Sequence, residues 1–497
     1  MSTPGTLDAP PPLGIGLVYW QALEPLFAAG DQRLQVLELE PQTLWEQRHD
    51  GGAWHYHVNA GLLQRVAALP QAKLMHGVGH PLGGSCDDPL DWRTPWRHCA
   101  QALQPAWTSE HLSFNRFVDA QGRVAQTSFL LPPRQTAAGV AQAAQRLRQL
   151  RALSGTPVAF ETGVNYLQPR PDELPDGRFF AQVAEAGDAG VLLDLHNLWV
   201  NARNGRAAVE QVLDELPLDR VWELHLAGGS LLDGYWLDAH DRLADQALLD
   251  IAAALIPRLP NLGALIFEIL PQYVAGVGLD AIARQLDAMA ALWALRPPRP
   301  VPAAQHRRQR AALRPMAPLA ADARAALHDW ERCLGPLALA QATAEDRAAV
   351  PGLADDPGCR IFEQLVREFR CGRIVRVMRY SLLAMLRALG PVEVDTLMRA
   401  YCRSCPSHLF TAIEADHFAH YLSGQLQAGA LARVPWLAEV LAFEHAMVRA
   451  ALHGEGCTLQ WTVDPVRLFE ALESGTGLDR LPPLPLQMQV QASQFSD

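Results

Sequence analysis

Nine side chains able to hold a metal ion stand at or just beyond the ends of short apolar runs: His76, His111, Glu161, Asp194, Asn197, His225, Asp238, His240 and Glu268. Apolar runs of this kind are buried, so each polar residue within or beside them needs a partner. The set holds four histidines, four carboxylates and one asparagine. One transition ion takes roughly four to six such donors, so nine imply more than one ion. Four clustered carboxylates repel one another unless cations neutralise them. A cluster of two or three divalent metals meets both demands. Cysteine is absent from the set, which argues against an iron–sulfur cluster or a closed structural zinc site. The mixed histidine–carboxylate chemistry suits iron, manganese or zinc.

The elements that must position these residues are eight short β-like runs, at residues 14–20, 34–40, 73–79, 107–113, 156–162, 190–197, 220–228 and 264–270. Between them lie Ala-, Leu- and Gln-rich stretches with helical periodicity, such as 136–153 and 245–259. Strands alternating with helices imply parallel βαβ units. Eight of them imply an α/β fold, a (β/α)8 TIM barrel, whose C-terminal mouth gathers the ends of the strands. An open dinucleotide-binding sheet needs a Gly-rich phosphate loop after its first strand, and GLVYWQALEPL is not one. The expected organisation is a flexible N-terminus (1–12), the barrel (13–295), an exposed Pro/Arg-rich linker (296–320), a mostly α-helical second domain (321–480) and an extended or loose tail (481–497).

The chain has 497 residues and a formal net charge of −11. An acidic chain gains nothing from phosphate neutralisation, so nucleic acid is not the expected partner. There is no apolar run long enough for a membrane span and no secretory signal at the start. Eight cysteines in 497 residues are too sparse for a disulfide framework, which points to the cytoplasm. The one close pair, Cys402 and Cys405, reads as two part-buried thiols on a helix.

The ordered motifs HGVGHPLGGS (76–85), SEHLSF (109–114), LLDLHNLWVNARNG (192–205), HLAGG (225–229) and DAHD (238–241) resemble those of the multinuclear non-heme iron-dependent oxidative enzymes (MNIO). Members such as the methanobactin biosynthesis oxidase modify ribosomally made peptides, often at cysteine, with dioxygen. The resemblance implies a TIM barrel with two or three irons over about residues 13–290. It assigns His76, His111 and Glu161 to one metal. Glu161 bridges to a second, also held by Asp194, His225 and Glu268, and Asn197, Asp238 and His240 hold a third. His80, Thr162, His196 and Asp241 are implied supports around the metals. Thr162 stands where the family usually has Asn, and His196 replaces the first Asn of Asp-x-Asn-Asn. The family's acid-rich segment after the last Glu is replaced by Glu268-Ile269-Leu270-Pro271.

The helical part resembles the partner proteins that accompany these oxidases and bind the precursor peptide, through RYSLLAMLRALGPVEVDTLMRAYCRSCPS, HFAHYLSGQL and VPWLAEVLAFEHAMVRAAL. A fused partner would make a separate partner protein unnecessary. The expected function is iron-dependent oxidation of a precursor peptide, at Cys or a C-terminal core residue, with dioxygen as co-substrate. The alternative is a redox-neutral, xylose-isomerase-like hydrolase or isomerase using Zn, Mn or Mg.

Overall fold

The computed structural model describes residues 10–298 and 319–491. Most of the expected linker and N-terminus, and the last six residues, lie outside the described residues. Eight parallel strands close into a barrel: β1 (Gly14–Val18), β2 (Leu34–Leu39), β3 (Ala72–Gly77), β4 (Thr108–His111), β5 (Val158–Glu161), β6 (Gly190–Asp194), β7 (Val221–Leu226) and β8 (Ala264–Phe267). The strands follow one another around the barrel in sequence order, and β8 pairs with β1. Each expected run supplies one strand. Strands covered on both faces must be apolar along their length, which is why they were legible.

Inward residues at the floor form their own cluster: Val18, Val36, Leu74, Trp107, Ala159, Trp222, Ala264 and Ile266. Gly190 opens β6 because a Cβ there would fall 2.2 Å from the Trp222 ring. The crossover helix Ala137–Ser154 shows how local sequence sets the boundaries. The Thr136 side chain accepts from the Gly139 N–H at its start, and Gly155 ends it at φ 69°.

Three two-stranded ribbons leave the barrel: Trp45–Asp50 with Ala53–Val58, Phe114–Val118 with Val124–Leu131, and Ser230–Leu232 with Tyr235–Leu237. The first follows β2 and the second follows β4, so both rise from the mouth. The C-terminal region packs on these two. Helix Leu437–His453 lies on Trp45–Asp50, while Ala321–Ala338 and Gly358–Val377 lie on the second ribbon. Phe117 fits against Gly335, where a Cβ would fall 2.4 Å from its ring. Trp330, Leu334, Phe362 and Val366 join the barrel's main apolar cluster. From Ile374 onward the chain has a separate core, including Met385, Tyr401, Phe418, Val440 and Trp461.

The helices of this region are Ala321–Ala338, Ala344–Ala348, Gly358–Val377, Arg379–Leu389, Pro391–Ser404, Thr411–Gln427, Leu437–His453 and Pro465–Ser474. Cys402 is buried on Pro391–Ser404, and Cys405 stands just beyond its end. The expected tail is extended but not loose: Pro483–Val490 pairs antiparallel with Cys457–Val463. Its alternate residues Leu486, Met488 and Val490 face apolar neighbours, and this period of two sets the strand.

Candidate metal centre

The mouth gathers its polar residues from the strand ends. His76 is the last residue but one of β3, His111 closes β4 and Glu161 closes β5. His76 Nε2 and His111 Nε2 lie 3.0 and 2.8 Å from the same oxygen, Glu161 Oε2. The far nitrogen of each ring is tied back: His111 Nδ1 to the Gly77 carbonyl at 2.9 Å and His76 Nδ1 to Ser109 Oγ at 2.8 Å. A ring held this way presents its other nitrogen to the site.

Asp194 closes β6 and is also the N-cap of helix Leu195–Arg203. Its Oδ1 accepts from the Asn197 N–H at 2.7 Å, and its Oδ2 is buried without a partner. Asn197 donates Nδ2–H to Glu161 Oε1 and the Thr162 carbonyl, so its Oδ1 faces the other way. On β7, His225 Nε2 lies 3.1 Å from Glu38 Oε2, and its Nδ1 lies 3.5 Å from Glu268 Oε2. His240 Nδ1 lies 2.9 Å from Glu268 Oε1 and its Nε2 lies 2.7 Å from Asp238 Oδ1. His240 adopts φ 47°, a left-handed conformation that turns its ring toward both carboxylates.

Glu161 Oε2, Asp194 Oδ2, Asn197 Oδ1, His225 Nδ1, Asp238 Oδ1 and His240 Nε2 are all buried with no aligned hydrogen-bond partner. Several sit within 3.0 Å of another donor atom of the set without a hydrogen directed between them. That is how ligands of a shared ion are disposed, and buried polar atoms otherwise carry a cost of about 1–3 kcal/mol each. His76, His111 and Glu161 each offer an atom within 4.8 Å of the others, as do Glu161, Asp194 and His225. The residues therefore fit a multinuclear metal group, with Glu161 common to two sets.

Charge follows the same pattern. Burial alone would discharge His111, but Glu161 and Glu110 hold its pKa well above the usual value. Burial likewise opposes the charge on His225 and His240. Glu38 outweighs it at the first, Asp238 and Glu268 at the second, and both pKa values are raised. Burial, with Asp238 and Glu161 nearby, pushes the Asp194 carboxyl far up. Carboxylates crowded around buried imidazoles set these shifts, and a bound cation would neutralise the same charge.

The four implied supports divide. Thr162 Oγ1 accepts from the Asp194 N–H at 3.1 Å, and its carbonyl orients Asn197. His196 Nε2 is 3.7 Å from Asp238 Oδ1, with its ring stacked on Trp199. His80 points away from the donors, bonding Asp88 Oδ2 at 2.9 Å and stacking on Trp92. Asp241 pairs with Arg242.

Sequence reasoning passed over Glu38, Glu223, Glu110, Ser109 and Glu40. Glu38 and Glu223 are fully buried below His225, and Trp107 Nε1–H donates to Glu223 Oε2 at 2.8 Å. Glu110 accepts from the His111 N–H. Glu40 stands near the rim; burial, with Glu268 adding repulsion, raises its carboxyl to about 8. The available signal was alternation: in LQVLELE, Val36, Glu38 and Glu40 share a face.

A parallel barrel with histidines and carboxylates converging at its mouth defines the class: a TIM barrel with residue groups at its mouth that could hold metal ions. The chain belongs to the family of RiPP precursor modification enzymes MbnB/TglH/ChrH, which matches residues 15–269. RiPPs are ribosomally made, post-translationally modified peptides, so the family is one of enzymes. A UPF0276 protein of Chromobacterium violaceum is 30% identical over 212 residues, covering 42% of this chain and 73% of that protein. One from Anaeromyxobacter sp. is 30% identical over 195 residues, covering 39% of this chain and 66% of that one. Among solved structures, a 3-keto-D-glucoside 4-epimerase from E. coli is 14% identical, covering 56% of this chain and 98% of that chain, with TM-score 0.33. No helix among the described residues is long and apolar enough to cross a membrane.

Proposed function

We propose that this protein is a multinuclear iron-dependent enzyme that uses dioxygen to oxidise a precursor peptide at Cys or a C-terminal core residue. The observation that carries the reading is the set of six buried, unpartnered donor atoms from six different ligands at the mouth of a barrel of this family. His76, His111 and Glu161 would hold one iron, and Glu161, Asp194, His225 and Glu268 a second. Asn197, Asp238 and His240 would complete a third position, where Glu268 lies closest to His240. Bound iron would supply the redox chemistry on dioxygen and peptide. The chain's part is to fix the donors and to orient the rings through Gly77, Ser109 and Glu38.

The helical region supports the peptide side of this reading. It grips the two ribbons that rise from the mouth: Phe410 meets Tyr56 at a ring separation of 5.7 Å, and Ser407 Oγ–H donates to the Thr127 carbonyl at 3.1 Å. A leader segment held there would deliver the core residue to the donors at high effective concentration. The fused arrangement would dispense with a separate partner protein.

Anaerobically purified protein should contain two or three irons per chain and take up dioxygen when given a co-encoded Cys-containing peptide. His111→Ala and Asp194→Ala should lose metal and activity while remaining folded. Stoichiometric zinc with no dioxygen uptake on any peptide would overturn the proposal in favour of a redox-neutral hydrolase or isomerase. Full metal content in both variants would overturn the ligand assignment.

A further inference from the structure

Away from the barrel mouth, helix Thr411–Gln427 and helix Leu437–His453 pack side by side. Asp416 and His420 stand four residues apart, on one face of the first helix. His445 meets them from the second. Asp416 Oδ1 lies 2.9 Å from His445 Nε2, and Asp416 Oδ2 lies 3.4 Å from His420 Nδ1. The two imidazoles are 4.8 Å apart and nearly perpendicular, at 77°. Each residue offers one donor atom, and the three atoms lie within 4.8 Å of one another.

We propose that Asp416, His420 and His445 form a second metal site that takes one divalent transition cation of the zinc class and pins these two helices together. Tetrahedral zinc with bonds of about 2.0–2.1 Å sets its ligand atoms roughly 3.3 Å apart. The observed separations of 2.9 and 3.4 Å bracket that value, so small side-chain rotations complete the site. The Asp416 and His445 side chains are mostly covered, which fixes two ligands; His420 is 59% exposed, and its ring must leave the Asp416 carbonyl, 2.9 Å from Nδ1, to turn onto the ion. Two imidazoles among three donors select zinc, nickel or copper over calcium and magnesium, which take oxygen. The remaining positions open to solvent and are filled by water. The three donors come from two helices packed side by side, which assigns the site a bracing role. Helix Leu437–His453 also packs on Trp45–Asp50 and on strand Cys457–Val463, so the brace stiffens the layer beside the barrel mouth.

The test uses the full chain with its barrel site already loaded with iron under anaerobic conditions. Cobalt(II) and zinc(II) are titrated into wild type, the double variant His420→Ala/His445→Ala and Asp416→Asn. Wild type should take up one more equivalent of cobalt than the double variant, with the visible absorption of nitrogen- and oxygen-bound cobalt. Zinc should raise the Tm of wild type and not that of the double variant, with iron content equal in both. Asp416→Asn, which keeps the size of the side chain and loses its charge, should bind at least about tenfold more weakly. Equal cobalt uptake by wild type and double variant would overturn the proposal. So would a zinc-induced rise in Tm that survives the double substitution.

Discussion

Replacing Glu38 by alanine tests whether a carboxylate beneath the donors governs their affinity for metal. Glu38 is fully buried on β2, and its Oε2 lies 3.1 Å from His225 Nε2. With Nε2 engaged there, His225 presents Nδ1, the atom without a partner, to Glu268 and the cluster. Alanine removes the acceptor and leaves the ring free to rotate. Loss of such an orienting partner costs about 10–100-fold in metal affinity, or about 1.4–2.7 kcal/mol. Fold stability should suffer less than a buried deletion usually implies. Burial, and then Glu223, already drive the Glu38 pKa well above its usual value, so the substitution also relieves an unfavourable carboxylate. Glu38→Gln keeps an oxygen that accepts from Nε2–H and should retain most of the affinity. The assay is anaerobic metal titration against a competing chelator, with Tm as the folding control. An alanine variant within threefold of wild type would refute the reasoning. A glutamine variant as weak as alanine would refute the hydrogen-bond account in favour of charge alone.

Three further perturbations probe the framework. Glu331 accepts from the Ser85 N–H at 2.7 Å and the Ser85 hydroxyl at 2.5 Å, but burial raises its pKa from 4.5 to about 7. The folded state therefore binds the extra proton between those values, and stability falls by up to about 3 kcal/mol as pH rises through that window. Glu331→Gln should flatten this slope in urea unfolding at pH 5 and pH 8; parallel behaviour of the two proteins would contradict it. Arg370 is fully buried, pairs with Glu414 at 2.8 Å and donates to the carbonyls of Cys402, Cys405 and Pro406. Arg370→Met strands the Glu414 charge and should cost about 3–5 kcal/mol, seen as a lower urea midpoint for the helical region; a loss under 1 kcal/mol, on the order of a surface pair, would count against this. Gly190→Ala drives a methyl into the Trp222 ring and should cost about 1–3 kcal/mol by thermal unfolding, whereas an unchanged Tm would show that the barrel floor can shift.

The barrel was legible because parallel strands buried on both faces leave continuous apolar runs, and because His76, His111, Glu161, Asp194 and His225 interrupt those runs at one end. The ribbons were not. Trp45–Asp50 reads WEQRHD and carries no apolar alternation of its own; it is held by packing from Tyr56 and helix Leu437–His453. Within the second ribbon, Ser128 takes φ 58°, where sequence reasoning would look for glycine. Its hydroxyl lies 2.7 Å from that of Ser407, so the bend is supported by a residue 279 positions away. Local pattern cannot encode a conformation supported from that far along the chain.

The residues missed below the donors follow from looking only at strand ends. Chemistry at the mouth of a barrel depends on what the next layer down allows, and here that layer is polar. Above the floor of Val36, Ala264 and Ile266 lie Glu38, Glu223 and the Trp107 Nε1–H, and above them His225. Trp107 donates to Glu223, and Glu38 engages His225, so the orientation of one donor is anchored to the rigid floor. An apolar layer at this depth would pack as well, yet it would leave His225 Nε2 without a partner and its ring free to turn. Two buried acids side by side are unfavourable for folding by themselves. Their place beneath His225 engages its Nε2 and leaves its Nδ1 facing Glu268, the orientation that the proposed ligand role requires.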